Sequence, residues 1–252
     1  MNSLGSAVIS HRGGSFLWPE NSLAAFRRTL ELPVEQAECD IHLSADGVPM
    51  VMHDALLDRT TDSRGPLSVR TANELAQVRL RGADGEGVPR LADLAALFRG
   101  RAMRLRVEIK PDHEKRSDPR ALPAVLDVLD AAGLRDRCLI ITFQGPLARE
   151  AVRAGGLAGV AWLAEPTTLR DLGLEALVAA ARALGVPAVE THESAADAAY
   201  VAAMRAAGLG CGAWGANHAP AIRRMLALGV DAFATDDPVL ALQLRQDSAR
   251  QG

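Results

Sequence analysis

The stretch Glu38-Cys39-Asp40-Ile41-His42-Leu43-Ser44-Ala45-Asp46-Gly47-Val48-Pro49-Met50-Val51-Met52-His53-Asp54 decides the fold. It holds two strand-like apolar runs, 37–41 and 49–52, with only Ser44-Ala45-Asp46-Gly47 as a linker. A parallel crossover needs roughly a dozen residues, whereas Asp-Gly is a hairpin signal. The second run is therefore expected to return antiparallel to the first. Outward from it, apolar runs at 7–10, 105–109, 138–143, 158–163, 186–190, 209–214 and 231–235 alternate with segments of helical period. The latter fall near 21–31, 91–99, 120–132, 146–154, 171–184, 194–207, 218–228 and 237–245. With 49–52 set aside, eight strands and eight helices remain, which predicts an α/β fold: a TIM (β/α)8 barrel with a small insertion after strand 2. Residues 1–252 are expected to form one domain with the insertion at about 42–90, and Asp247–Gly252 reads as a frayed tail.

Composition narrows the function. With 48% hydrophobic and 23% charged residues, the chain is neither disordered nor collagenous nor a coiled coil. The 31 acidic and 28 basic residues are interspersed, which argues against nucleic acid as a partner and for small-molecule chemistry. Cys39, Cys138 and Cys211 lie singly in apolar runs, fitting neither a disulfide framework nor a zinc site. They read as buried thiols in a reducing compartment. Met1–Ala7 lacks the basic and apolar regions of a secretory leader, and no long apolar span follows, so a cytoplasmic protein without stable membrane association is expected.

In such a barrel, chemistry belongs where strands end at the C-terminal face. His11-Arg12, Glu38 with Asp40, His53-Asp54, and Glu108 with Lys110 all fall there. Glu38 and Asp40 are two apart on one strand and share a face, as do Glu108 and Lys110 on the next barrel strand. Three acids at one mouth would repel one another unless a cation lay among them, and oxygen ligands suit one divalent cation, Mg2+ or Ca2+. The alternative is a rim of solvated acids. His11 and His53 flank the cluster and could exchange protons near neutral pH, as phosphodiester cleavage requires; alone, each would be an ordinary hydrogen-bonded strand-end histidine. Lys is rare in a chain that favours Arg, so Lys110 among acids suggests a compact charge for a phosphate oxygen. His42 continues the Glu38/Asp40 face as a metal-reaching or a solvent-facing residue. Trp214 is a core aromatic or a pocket wall. Phe16-Leu17-Trp18 is a lip for an apolar substrate part or a plug; packing against 54–90 is expected. Asn21 or Ser22 reads as the N-cap of the first helix.

These residues also match a known pattern. Ile9-Ser10-His11-Arg12-Gly13-Gly14 and Pro19-Glu20-Asn21-Ser22 resemble the opening of the glycerophosphodiester phosphodiesterases, of the short cytoplasmic bacterial type. The resemblance continues through Glu38-Cys39-Asp40, Asp46-Gly47 to His53-Asp54, Asp58-Arg59-Thr60-Thr61, Glu108-Ile109-Lys110, Trp214-Gly215-Ala216-Asn217 and Thr235-Asp236-Asp237-Pro238. It implies a barrel that uses a divalent metal to hydrolyse glycerophosphodiesters to sn-glycerol 3-phosphate and an alcohol. By position it implies His11 and His53 as acid and base, Glu38, Asp40 and Glu108 as metal ligands, and Arg12, Lys110 and Trp214 as substrate contacts. Gly215 departs from the family's Thr. Two alternatives stand beside this reading: a lysophospholipase D or phospholipase C-like enzyme, and a silent member that only binds phosphodiesters.

Overall fold

The computed structural model describes residues 5–251. The leader region read at Met1–Ala7 therefore falls largely outside the described residues, as does Gly252. The strands are β1 (Ala7–Ser10), β2 (Gln36–Leu43), β3 (Pro49–Val51), β4 (Arg104–Ile109), β5 (Cys138–Thr142), β6 (Gly159–Ala164), β7 (Ala188–His192), β8 (Gly210–Trp214) and β9 (Ala232–Thr235). All but β3 pair in parallel, and β1 pairs with both β2 and β9, which closes an eight-stranded barrel. As the four-residue linker predicts, β3 runs antiparallel to β2, with Ile41 opposite Val51.

Helices surround the barrel: α1 (Leu23–Thr29), α2 (Ala72–Leu75), α3 (Leu91–Phe98), α4 (Ala121–Ala132), α5 (Gly145–Ala154), α6 (Pro166–Leu184), α7 (Ala198–Ala206), α8 (Ala219–Leu228) and α9 (Pro238–Gln251). The segment between β3 and α3 has its own apolar cluster, built on Met50, Leu57, Leu67 and Leu75. It also holds α2, which periodicity misses in so short a helix; the Thr71/Glu74 capping box was the available signal. Three helix boundaries differ from expectation by more than two residues. Helix α6 starts at Pro166, not near 171, because Gly173 (φ 74, ψ 165) breaks the helix and interrupts its apolar period. The helix expected at 194–207 divides into a short 3-10 turn, Glu193–Ala195, and α7. The expected tail is helical through Gln251.

Strand alternation explains the site. On β2, Ala37, Cys39, Ile41 and Leu43 point outward into the helix-facing core, and on β4 Leu105, Val107 and Ile109 do the same. The intervening Glu38, Asp40, Arg106 and Glu108 must then face the barrel interior. The register places Glu38 beside Arg106 and Asp40 beside Glu108. Outside β2, Phe26 and Phe98 meet edge to face at 6.3 Å, a geometry worth about 0.5–1.5 kcal/mol beyond burial alone. All three cysteines are free and buried, and burial pushes the Cys138 thiol up to about 12, so it stays protonated.

Candidate active site

Glu38, Asp40 and Glu108 are all buried, and each brings one carboxylate oxygen within 4.8 Å of the others. Glu38 Oε1 and Asp40 Oδ1 accept no hydrogen bond. Burial, with Asp40 adjacent, pushes the Glu38 carboxyl up to about 8. Burial likewise raises Glu108, although Lys110 opposes it. Asp40 goes the other way: burial disfavours its charge, but Lys110 and Arg12 outweigh that and hold it ionised. Lys110 Nζ donates to Glu108 Oε1 at 2.7 Å and lies 3.2 Å from Asp40 Oδ1. Arg12 Nε lies 3.3 Å from Asp40 Oδ2, and the Arg12 backbone N–H donates to Glu38 Oε2 at 3.1 Å.

Arg12 (φ 52) and Asn21 (φ 58) adopt left-handed backbone that costs non-glycine residues about 1–3 kcal/mol each. The surroundings over-determine both. Asn21 N–H donates to the Arg12 carbonyl at 2.9 Å, and its amide donates to Asp40 Oδ2 at 2.8 Å. The cap of α1 is Ser22, which accepts from Ala25 N–H; Asn21 is a buried orienter of Asp40.

Each site histidine is held by a carboxylate. His11 Nδ1 is 2.6 Å from Asp236 Oδ1, and His53 Nδ1 is 2.7 Å from Asp54 Oδ1. An ionised carboxylate only accepts, so Nδ1 carries the proton and Nε2 is the atom free for proton transfer. His11 Nε2 lies 3.8 Å from Glu38 Oε2. Asp236 is fixed by Ser15 Oγ and Asn217 Nδ2, each at 2.6 Å. Burial lowers the affinity of His11 for a proton, but the Asp236 hydrogen bond and Glu38 reverse this and raise its pKa. Burial, together with Lys110 and Arg12, lowers that of His53 despite Asp40 and Asp54. His42 is neither metal-reaching nor solvent-facing: it shares the inward face of β2 but is buried outside the acid cluster, and its Nε2 donates to the His53 carbonyl at 2.9 Å.

A cavity of about 720 Å3 joins these groups and extends along the opposite, apolar half of the mouth, where Ile141, Phe143, Leu163 and Trp214 line it. Trp214 is thus a pocket wall, braced edge-on by Phe143 at 5.3 Å and His192 at 6.2 Å. Gly215 sits at φ 79, and a Cβ there would come within 2.6 Å of His192 Nε2, so the imidazole fills the space that a threonine would need. The expectation that Phe16-Leu17-Trp18 packs on 54–90 is corrected. Phe16 and Leu17 are exposed, at 55% and 39%, because the Phe16 backbone is tied to the Asp236 carbonyl, which turns its ring towards His218. Trp18 lies over Gly14. Arg106 and Glu190 form a buried ion pair at the cavity floor.

The sequence profile of the glycerophosphoryl diester phosphodiesterase family matches residues 11–240. Over 97 residues the chain is 40% identical to glycerophosphodiester phosphodiesterase 1 of Bos taurus, a match spanning 36% of this chain and only 29% of that protein. A match to "Probable glycerophosphodiester phosphodiesterase 2" of Mycobacterium tuberculosis is 27% identical and covers 92% of this chain and 88% of the relative. A solved structure assigned as a glycerophosphoryl diester phosphodiesterase, from Agrobacterium tumefaciens, superposes with TM-score 0.94 at 30% identity, covering 98% of this chain and 99% of that one. An Oleispira antarctica phosphodiesterase in complex with the product sn-glycerol-3-phosphate superposes with TM-score 0.81 at 25% identity, covering 97% and 98%.

Proposed function

The chain belongs to the glycerophosphoryl diester phosphodiesterase family, and on that premise we propose that it hydrolyses glycerophosphodiesters to sn-glycerol 3-phosphate and an alcohol, with His11 and His53 as acid and base. The observation that carries this reading is two carboxylate-held histidines in one cavity with a buried triple-acid cluster.

The donor set fits a hard divalent cation, because two buried carboxylate oxygens accept no hydrogen bond and all three acids offer oxygen. Glu38, Asp40 and Glu108 would hold it, Mg2+ or Ca2+, and when bound it would supply Lewis-acid stabilisation of phosphate charge. Arg12 and Lys110 bind the phosphate oxygens. Phe143 and Trp214 face the glycerol carbons. His53, whose pKa is lowered, takes a proton from the attacking oxygen, and His11, whose pKa is raised, gives one to the leaving oxygen. Residues 1–252 act as one domain, in a reducing compartment that suits three free thiols.

A second reading, a lysophospholipase D, is favoured by Phe16 and Leu17 exposed beside the mouth and by Leu56 in the cavity wall. Among the described residues no helix is long and apolar enough to cross a membrane. A substrate panel separates the readings. Glycerophosphocholine, glycerophosphoethanolamine and glycerophosphoglycerol are expected to give kcat/KM values within about tenfold, roughly 1.4 kcal/mol, and above that of lysophosphatidylcholine. A lysolipid preference above tenfold would transfer the assignment to the second reading, and absence of turnover on every member would leave a binding protein.

A further inference from the structure

We propose that Arg59 is a positioning residue for the reaction: it orients His53 by clamping Asp54 to Glu20, and so ties the segment that carries His53 to the loop that follows His11. This rests on the reading of His53 as the catalytic base.

His53 lies beyond the end of β3 and outside any strand or helix, so its imidazole is only as fixed as Asp54, the carboxylate on its Nδ1. Asp54 is fixed by Arg59, whose Nε donates to Oδ2 at 2.7 Å and whose Nη2 donates to Oδ1 at 3.0 Å. The same guanidinium grips Glu20 with two further bonds of 2.7 Å, from Nη1 and Nη2. Glu20 in turn lies 3.3 Å from Arg12 Nη1, on the arm that carries His11. Two forked ion pairs on one planar group set an angle as well as a distance, which a lysine ammonium cannot reproduce. Arg59 is half exposed and does not line the cavity, so it acts through Asp54 and not on substrate.

The test compares Arg59→Ala and Arg59→Lys with the parent enzyme, metal-replete, through kcat, KM and their pH dependence, and follows the His53 imidazole by NMR titration. The charged groups around His53 are Asp40, Lys110, Arg12, Asp54 and Glu20, and all remain in both variants. Arg59→Ala is expected to lower kcat about 10- to 100-fold with KM changed less than about threefold. Removing a cation while Asp54 stays beside His53 should move the acid limb of the profile, and the NMR titration, to higher pH. Arg59→Lys should recover the pH limb but little of kcat. A parental kcat in Arg59→Ala, or a loss seen only as lower thermal stability with an unmoved titration, overturns the proposal. If His53→Ala keeps parental kcat, the reading of His53 fails and the proposal with it; if His53→Ala is inactive while Arg59→Ala matches the parent, only the proposal fails.

Discussion

Replacing His11 or His53 by alanine is expected to lower kcat by about two to four orders of magnitude, the usual scale of general acid–base catalysis and equivalent to roughly 3–5 kcal/mol of transition-state stabilisation. Both variants should fold. Without His11, Asp236 keeps its bonds to Ser15 and Asn217; without His53, Asp54 keeps its forked pair with Arg59. The opposite pKa directions separate the roles. His53 must be neutral to accept a proton and His11 protonated to donate one. Parental kcat/KM should therefore rise through a limb below the ordinary histidine pKa of 6.5 and fall through one above it. A diester with a p-nitrophenolate leaving group needs no proton on departure. On that substrate His11→Ala should recover most of its rate, and His53→Ala should not. Near-parental kcat for either variant, folded and metal-replete, would mean that the residue only supports the structure. Recovery in the wrong variant would exchange the two roles.

The acids and the histidines were legible for a physical reason: alternation along a strand forces residues i and i+2 onto one face, and barrel strand ends meet at one mouth. That brings Glu38, Asp40 and Glu108 together, but only their burial separates a cluster from a solvated rim. Their supports did not announce themselves, because they come from distant parts of the chain. Asp236 reaches His11 across 225 positions only when β9 closes on β1, and Arg59 reaches Glu20 across 39. Of Asn21 and Ser22 as cap candidates Ser22 is the cap, and nothing local shows that the Asn21 amide faces Asp40. The resemblance did carry signals for Glu20, Asn21, Arg59, Asn217 and Asp236, since all lie in the matched segments, but without the contacts those segments assign no role. Neither alternative for His42 holds, because β2 runs on to Leu43 and carries the imidazole past the acids, buried, to the His53 carbonyl. Nothing local to Phe16 points to its partner, because His218 precedes α8 at the far end of the chain.

Exhaustive chelation is expected to reduce turnover to background, and adding back Mg2+ or Ca2+ to restore it, because the three acids, once ionised, outnumber the fixed cations paired with them. With all three ionised, Glu38, Asp40 and Glu108 carry one negative charge more than Arg12 and Lys110 cancel, and a phosphodiester brings a second. A divalent cation cancels both. The repulsion is not small: at an effective dielectric constant near 20, two ionised carboxylates whose oxygens lie within 4.8 Å of each other repel by at least about 3.5 kcal/mol. In the cation-free protein burial first, and the neighbouring Asp40 second, push the Glu38 carboxyl up to about 8, so protonation relieves part of this repulsion. Cation binding should therefore release a proton near neutral pH, measurable by calorimetry in buffers of different ionisation enthalpy without any turnover. It should also raise Tm, since a ligand held only by the folded state stabilises it in proportion to the logarithm of its concentration. Glu38→Gln removes one ligand charge and the carboxyl pushed up to about 8 together: it should weaken cation binding, diminish proton release and leave the cation-free fold at least as stable. Undiminished turnover in protein shown to be metal-free, or parental cation binding by Glu38→Gln, would sink the assignment of these three acids as ligands.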